Sequence, residues 1–103
     1  MKIYIAGKVT GEPIAECTMK FGTAQKEIEA LGHEAINPLE LVNNWKAQWQ
    51  DAMKICIKAL LDADAILLLP DYRDSKGALL EFDIARRLDI KRYYSTKGKI
   101  TLL

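Results

Sequence analysis

Hydrophobic positions along the chain switch repeatedly between a strand-like and a helix-like spacing. Lys2-Ile3-Tyr4-Ile5-Ala6 is a short β-type run closed by Gly7, and it predicts an opening strand. Gly7 to Pro13, with two glycines, reads as a loop. Phe21, Ala24, Ile28 and Leu31 then fall three and four residues apart, which predicts a helix over Ala15–Leu31 with Gly32 suited to its end. His33–Ile36 is a second short strand, ended by Asn37-Pro38. Leu39–Asn44 is irregular or a single helical turn. Trp45–Leu61 is predicted helical, with Trp49, Met53, Cys56, Ile57 and Leu60 on one face. Ala65–Leu69 shows no alternation, the mark of a parallel strand buried on both faces. Pro70–Lys76 reads as a loop, Gly77–Leu88 as a further helix and Lys91–Tyr94 as a fourth strand. Lys97-Gly98-Lys99 reads as a turn, and Ile100–Leu103 as a short terminal strand.

Strands alternating with helices predict an α/β fold with a small, mostly parallel sheet of four to five strands and right-handed crossovers. In such sheets ligands bind beyond the carboxyl ends of the strands, where the strand order reverses. The loops after Ala6, Ile36 and Leu69 are expected to meet there.

The segment Asp74–Glu81 enters a helix at that same end. Asp83, Arg86 and Arg87 share the wet face of this helix, where Asp83 can pair with either arginine. Glu81 lies two residues from Asp83, roughly 200° around the axis, and therefore points inward. Its axial neighbours are Gly77, Ala78, Ile84 and Ala85, none of which can pair with it. Because helical side chains lean toward the N-terminus, Gly77 and Ala78 leave space above the carboxylate. Two readings follow: a buried acid bonded to distant groups for structural reasons, or an acid that does chemistry.

Other residues carry paired readings. Tyr4 is either a core aromatic with its hydroxyl at the rim or a phenol that donates to Glu81. Asn37 either ends its strand or offers an amide to a ligand. Ser75 caps the Gly77–Leu88 helix, and its hydroxyl beside free N–H groups also suits an anion. Gly7-Lys8-Val9-Thr10 is not a phosphate loop, since the upstream glycine is missing and Val9 separates Lys8 from Thr10. Gly7 is read instead as a turn or a close backbone approach to a ligand. His33, Asp62 and Asp64 fall at the amino ends of strands, the wrong side for a site.

Composition narrows the class. The chain has 103 residues, 50% hydrophobic and 28% charged, with a net charge of +1 from interspersed signs. One globular domain spanning 1–103 is expected, with neither a nucleic-acid stripe nor a polybasic membrane patch. No apolar run reaches membrane-spanning length and no signal peptide is read at the start. Cys17 and Cys56 form no paired motif, so a reducing cytoplasm is the expected setting. No metal-ligand spacing occurs, and the Lys91–Lys99 segment is read as a solvated edge.

These residues together resemble a known superfamily. Lys2–Gly7 resembles the opening of nucleoside 2-deoxyribosyltransferases and of the 2′-deoxynucleoside 5′-phosphate N-hydrolases. Ser75–Glu81 resembles their [Ser/Asp]-x-Gly-x-x-x-Glu signature. Gly32-His33, Asn37-Pro38 and Ala63–Pro70 complete a match running from Lys2 to about Leu88, and the small DUF4406 branch fits best. The resemblance implies a flavodoxin-like three-layer sandwich and cleavage of an N-glycosidic bond in a nucleoside or nucleotide, by transfer or hydrolysis, without a cofactor. It puts Glu81 on the nucleophilic glutamate, Tyr4 on the tyrosine that orients it, and Ser75 on a position associated with substrate phosphate. Gly7, Asn37, Gly77 and Ala78 join Ser75 as substrate-binding candidates. It also implies a homodimer or larger assembly, to which Trp45, Trp49 and Tyr72 are candidate contributors; the other reading of the two tryptophans is core. One departure stands out: Cys56 occupies the position of a family aspartate, with Asp51 or Asp71 as possible substitutes, and Asp71-Tyr72 replaces Gly-Trp. The alternative is therefore a catalytically impaired nucleotide- or nucleoside-binding module. A flavodoxin-like electron carrier fits less well, because the chain is short and lacks a Ser/Thr-rich loop after the first strand.

Overall fold

The fold is taken from a computed structural model that describes residues 1–96 and 99–102. Five strands and four α-helices follow in the order β1 (Lys2–Ala6), α1 (Ile14–Ala30), β2 (Glu34–Ile36), α2 (Pro38–Val42), α3 (Trp49–Leu61), β3 (Ala65–Leu68), α4 (Lys76–Arg87), β4 (Lys91–Thr96) and β5 (Lys99–Leu102). A 3-10 turn, Tyr72–Asp74, interrupts the loop before α4. The sheet order is β2-β1-β3-β4-β5, parallel except for the antiparallel β4–β5 pair. This is the flavodoxin-like order, and the direction of winding reverses between β1 and β3.

The pleat explains why β3, and β1 beyond Lys2, are apolar on both faces. Ile3 and Ile5 of β1, with Ala65, Leu67 and Leu69, face α1 and pack on Cys17, Phe21, Ala24 and Ile28. Tyr4, Ala6, Ile66 and Leu68 face the opposite layer, where Cys56 and Leu60 of α3 meet Ala78 and Ala85 of α4. Ile5, Phe21, Ile28, Leu60 and Leu67 are wholly buried, and each such aliphatic or aromatic side chain contributes about 1.5–3 kcal/mol relative to exposure. The result is helix, sheet, helix.

Of the two readings for Leu39–Asn44, the single helical turn is the one found: α2 runs from Pro38 to Val42, with Asn37 capping it and Pro38 at its first position. Two local expectations are corrected. The following helix starts at Trp49, not Trp45. Asn43 adopts a left-handed conformation (φ 46°) that ends α2, and the Asn44 carboxamide oxygen accepts the Lys46 N–H at 3.0 Å, so local side-chain bonding outcompetes helix there. β4 is no edge, since β5 pairs along its outer side. The turn read at Lys97-Gly98-Lys99 lies partly outside the described residues; Lys99 itself begins β5. No helix among the described residues is long and apolar enough to cross a membrane.

Candidate functional site

The start of α4 lies just beyond β3. Ser75 is extended (φ −120°, ψ 118°), and its Oγ accepts the Ala78 N–H at 3.1 Å, which satisfies one free donor of the first turn. The helix then carries Asp83 to the surface, where it pairs with Arg86 at 2.7 Å and Arg87 at 3.0 Å. Glu81 turns the other way and is only 5% exposed. Across the layer, the Tyr4 hydroxyl of β1 donates to Glu81 Oε2 at 2.5 Å, joining residues 77 positions apart. Cys56 of α3 is the third group at this buried end, and all three line one cavity.

Electrostatics follow from burial. Desolvation pushes the Glu81 carboxyl up to about 7, while the donated Tyr4 hydrogen bond pulls it back down. Burial, then the neighbouring Glu81 and Cys56, push the Tyr4 phenol well above its ordinary value. Burial likewise raises the Cys56 thiol, against the pull of the Tyr4 hydroxyl. At neutral pH this end thus holds a phenol, a thiol and a carboxyl group divided between its two protonation states.

The cavity encloses about 410 Å³, a volume suited to a small organic molecule. The segments after Ala6, Ile36 and Leu69 all reach it: Gly7 and Thr10 from the first, Leu39 of α2 and Asn44 beyond it from the second, Ser75 from the third. Gly77 and Ala78 floor it beside Glu81. The wall completed by Trp49, Met53 and Cys56 comes from α3. A helix face of this composition reads as core from sequence, because a core and an apolar cavity wall use the same spacing. Trp45 also lines the cavity from its loop and is 48% exposed, whereas Trp49 is half-buried with the Lys76 ammonium 4.4 Å from its ring centre. A neighbouring hollow of about 370 Å³ shares Thr10, Trp49, Ser75 and Gly77 with the cavity and adds Lys8, Asp74 and Lys76.

Of the sequence candidates, Tyr4, Gly7, Cys56, Ser75, Gly77, Ala78 and Glu81 come together. Asn37 does not join the cavity lining. Its oxygen accepts the Leu39 N–H at 3.0 Å to cap α2, and its amide donates to Gln25 at 3.1 Å. Asp51 is exposed and Asp71 is ion-paired to Lys20; neither lines the cavity. At the opposite end of the sheet, His33 bonds the N-terminal nitrogen and Asp64 accepts the Lys2 N–H at 2.8 Å, so both serve the fold. The sequence reading overlooked Glu12, which lines the cavity, and Lys20, which pairs with it at 3.3 Å.

Residues 1–94 match a family model described as a domain of unknown function, DUF4406. Among solved structures, a 2-deoxyribosyltransferase from Bacillus psychrosaccharolyticus superposes with a TM-score of 0.68. The match covers 98% of this chain and 77% of the other, at 20% identity, and it establishes a shared fold. No curated protein matches in sequence.

Proposed function

The chain belongs to the DUF4406 family, whose description names no activity, and from that premise we propose that it cleaves the N-glycosidic bond of 2′-deoxynucleosides or their 5′-monophosphates. The observation that carries the reading is a single inward carboxylate, Glu81, at the buried end of a nucleoside-sized cavity with a phenol donating to it at 2.5 Å. The likeness in fold to a 2-deoxyribosyltransferase agrees with it.

In this reading Glu81 attacks C1′ while the bond from C1′ to the base nitrogen breaks, through a transition state with positive charge on the sugar. A glycosyl ester of Glu81 results, and the base leaves with the bonding electron pair. Water, or a second base, then attacks C1′ and expels the carboxylate, giving hydrolysis or transfer with retained configuration. Burial supports the chemistry, because a carboxyl raised to about 7 is a more basic nucleophile that is still substantially ionised at neutral pH. Tyr4 holds Glu81 in one rotamer. Besides Glu81 the cavity's one other carboxylate among the described residues is Glu12, which is tied up by Lys20, so the departing base takes its proton from solvent. Trp45 and Trp49 offer aromatic faces for a base, and the hollow flanked by Lys8 and Lys76 beside the Ser75 hydroxyl favours a 5′-phosphorylated substrate. Two free, buried thiols agree with a reducing cytoplasm.

A second reading is a nucleotide- or nucleoside-binding module without turnover. It is favoured by Cys56, a thiol at the buried end where the resemblance implies an acid. The deciding experiment incubates the protein with 2′-deoxynucleosides and their 5′-monophosphates and follows free base by chromatography, beside Glu81→Ala. Base release that falls at least a thousandfold in the variant is expected for a lost nucleophile. Release unchanged in Glu81→Ala would sink the mechanism, and tight binding with no release would select the binding module.

A further inference from the structure

Lys20 lies outside the cavity, yet its ammonium sits where two cavity-forming loops touch. Projecting from the second turn of α1, its Nζ donates to the Lys8 carbonyl at 2.7 Å, to Asp71 Oδ2 at 2.5 Å and to Glu12 Oε1 at 3.3 Å. An ammonium has three N–H donors, and here each has an acceptor. Asp71 returns the contact: its Oδ1 accepts the Lys8 N–H at 3.1 Å. The backbone of Lys8 is therefore held at both ends, its N–H by Asp71 and its C=O by Lys20. The Cys17 thiol adds a longer approach to the same carbonyl at 3.8 Å.

What this anchors is the wall of the cavity. Gly7, Val9, Thr10, Gly11 and Glu12 all line it, whereas Lys20 and Asp71 do not. Gly7 is pressed onto the β3–α4 loop so closely that an added Cβ would lie 3.2 Å from Asp71 Oδ1. Without Lys20, the Asp71 and Glu12 carboxylates would face the same carbonyl oxygen with no cation between them, and their mutual repulsion would push the loop outward. Lys20 and Asp71 are half-buried (side chains 24% and 25% exposed), so this charge cluster is screened less than a surface pair.

We propose that Lys20 is a positioning residue: it clamps the β1–α1 loop to the β3–α4 loop through Lys8, Glu12 and Asp71, and so sets the shape of the ligand cavity from outside it. The proposal rests on the N-glycosidase reading only for the choice of probe ligand.

Lys20→Met keeps the aliphatic stem and deletes the donors, while Lys20→Arg keeps the charge. Amide hydrogen exchange is read residue by residue, and binding of a 2′-deoxynucleoside 5′-monophosphate by calorimetry. In Lys20→Met the Lys8 amide is expected to exchange about tenfold faster or more, with Ile66–Leu68 of β3 unchanged, since charge-assisted bonds are lost only locally. Affinity for the nucleotide is expected to fall about tenfold, with Lys20→Arg between the two. Asp71→Asn should produce the same exchange pattern, and combining it with Lys20→Met should add little, as two ends of one clamp must. Lys8 protection equal to the parent's in Lys20→Met would overturn the proposal, as would accelerated exchange throughout β3, which signals general destabilisation. If the parent binds no nucleotide, the functional reading fails, while the exchange data still decide the clamp.

Discussion

Glu81 is expensive for this protein to keep ionised, and the expense has a measurable pH signature. Its folded pKa of about 7 stands above the ordinary 4.5. Between those values the folded chain holds the proton and the unfolded chain does not. Stability is therefore full below about pH 4.5 and declines as pH rises through 7, by roughly 3 kcal/mol for this shift. Glu81→Gln should remove that decline, so urea midpoints of variant and parent should agree more closely at pH 5 than at pH 8, with the variant ahead at pH 8. Tyr4→Phe acts in the opposite sense on the same group. Loss of the hydroxyl donor leaves burial unopposed, and the Glu81 carboxyl is expected to titrate above 7, measurable by carbon NMR of the labelled side chain. A Glu81 titration unmoved in Tyr4→Phe would contradict the orienting role.

Elements meet closely where the site is built, and glycine marks both contacts. Gly7 ends β1 against the β3–α4 loop, and a Cβ there would fall 2.7 Å from Leu69 Cδ1 and 3.1 Å from its Cβ. Gly7→Ala should thus cost about 1–3 kcal/mol by overpacking, read from denaturant unfolding. A cost near zero would mean that the loop yields freely, against the tight wall described above. Gly77 brings α4 against α3 in the same manner, with a Cβ 2.9 Å from Met53 Sδ, but there the obstacle is the movable end of a flexible side chain. Gly7→Ala is accordingly expected to be the costlier of the two.

Across the whole molecule, one helical layer has an unfinished surface. α3 and α4 pack side by side, yet Ile55 (45%), Leu79 (42%) and Leu80 (40%) stay exposed on them. We infer that this layer is covered in a homodimer or larger assembly, as the family resemblance implies. Sedimentation of the parent should report at least a dimer, and Leu79→Lys with Leu80→Lys should shift it toward monomer without loss of helical content. A parent that sediments as a monomer at high concentration would rule this out. Trp45 and Trp49, candidates for the same contact or for the core, both line the cavity, and of the two only Trp45 is substantially exposed.

Strand and helix order, the buried character of β3 and the inward aim of Glu81 were all determined by the sequence, because each depends on periodicity or on neighbours within a few residues. Helix boundaries were less legible where Asn43 and Asn44 divert the backbone by local bonding. The Tyr4 to Glu81 hydrogen bond was legible only as one option, since it spans 77 positions and depends on how β1 and α4 face each other. Asn37 looked equally available in the sequence, and tertiary contact with Gln25 committed its amide elsewhere. The Lys20 clamp was invisible, because its partners Lys8, Glu12 and Asp71 come from two loops whose meeting point exists only after the sheet has formed. Sequence thus determined which faces are apolar and which acid turns inward, through short-range geometry. Tertiary structure alone decided which polar groups stay free for a ligand and which are consumed in holding the cavity, because hydrogen-bond partners distant in the chain compete for them only once it is folded.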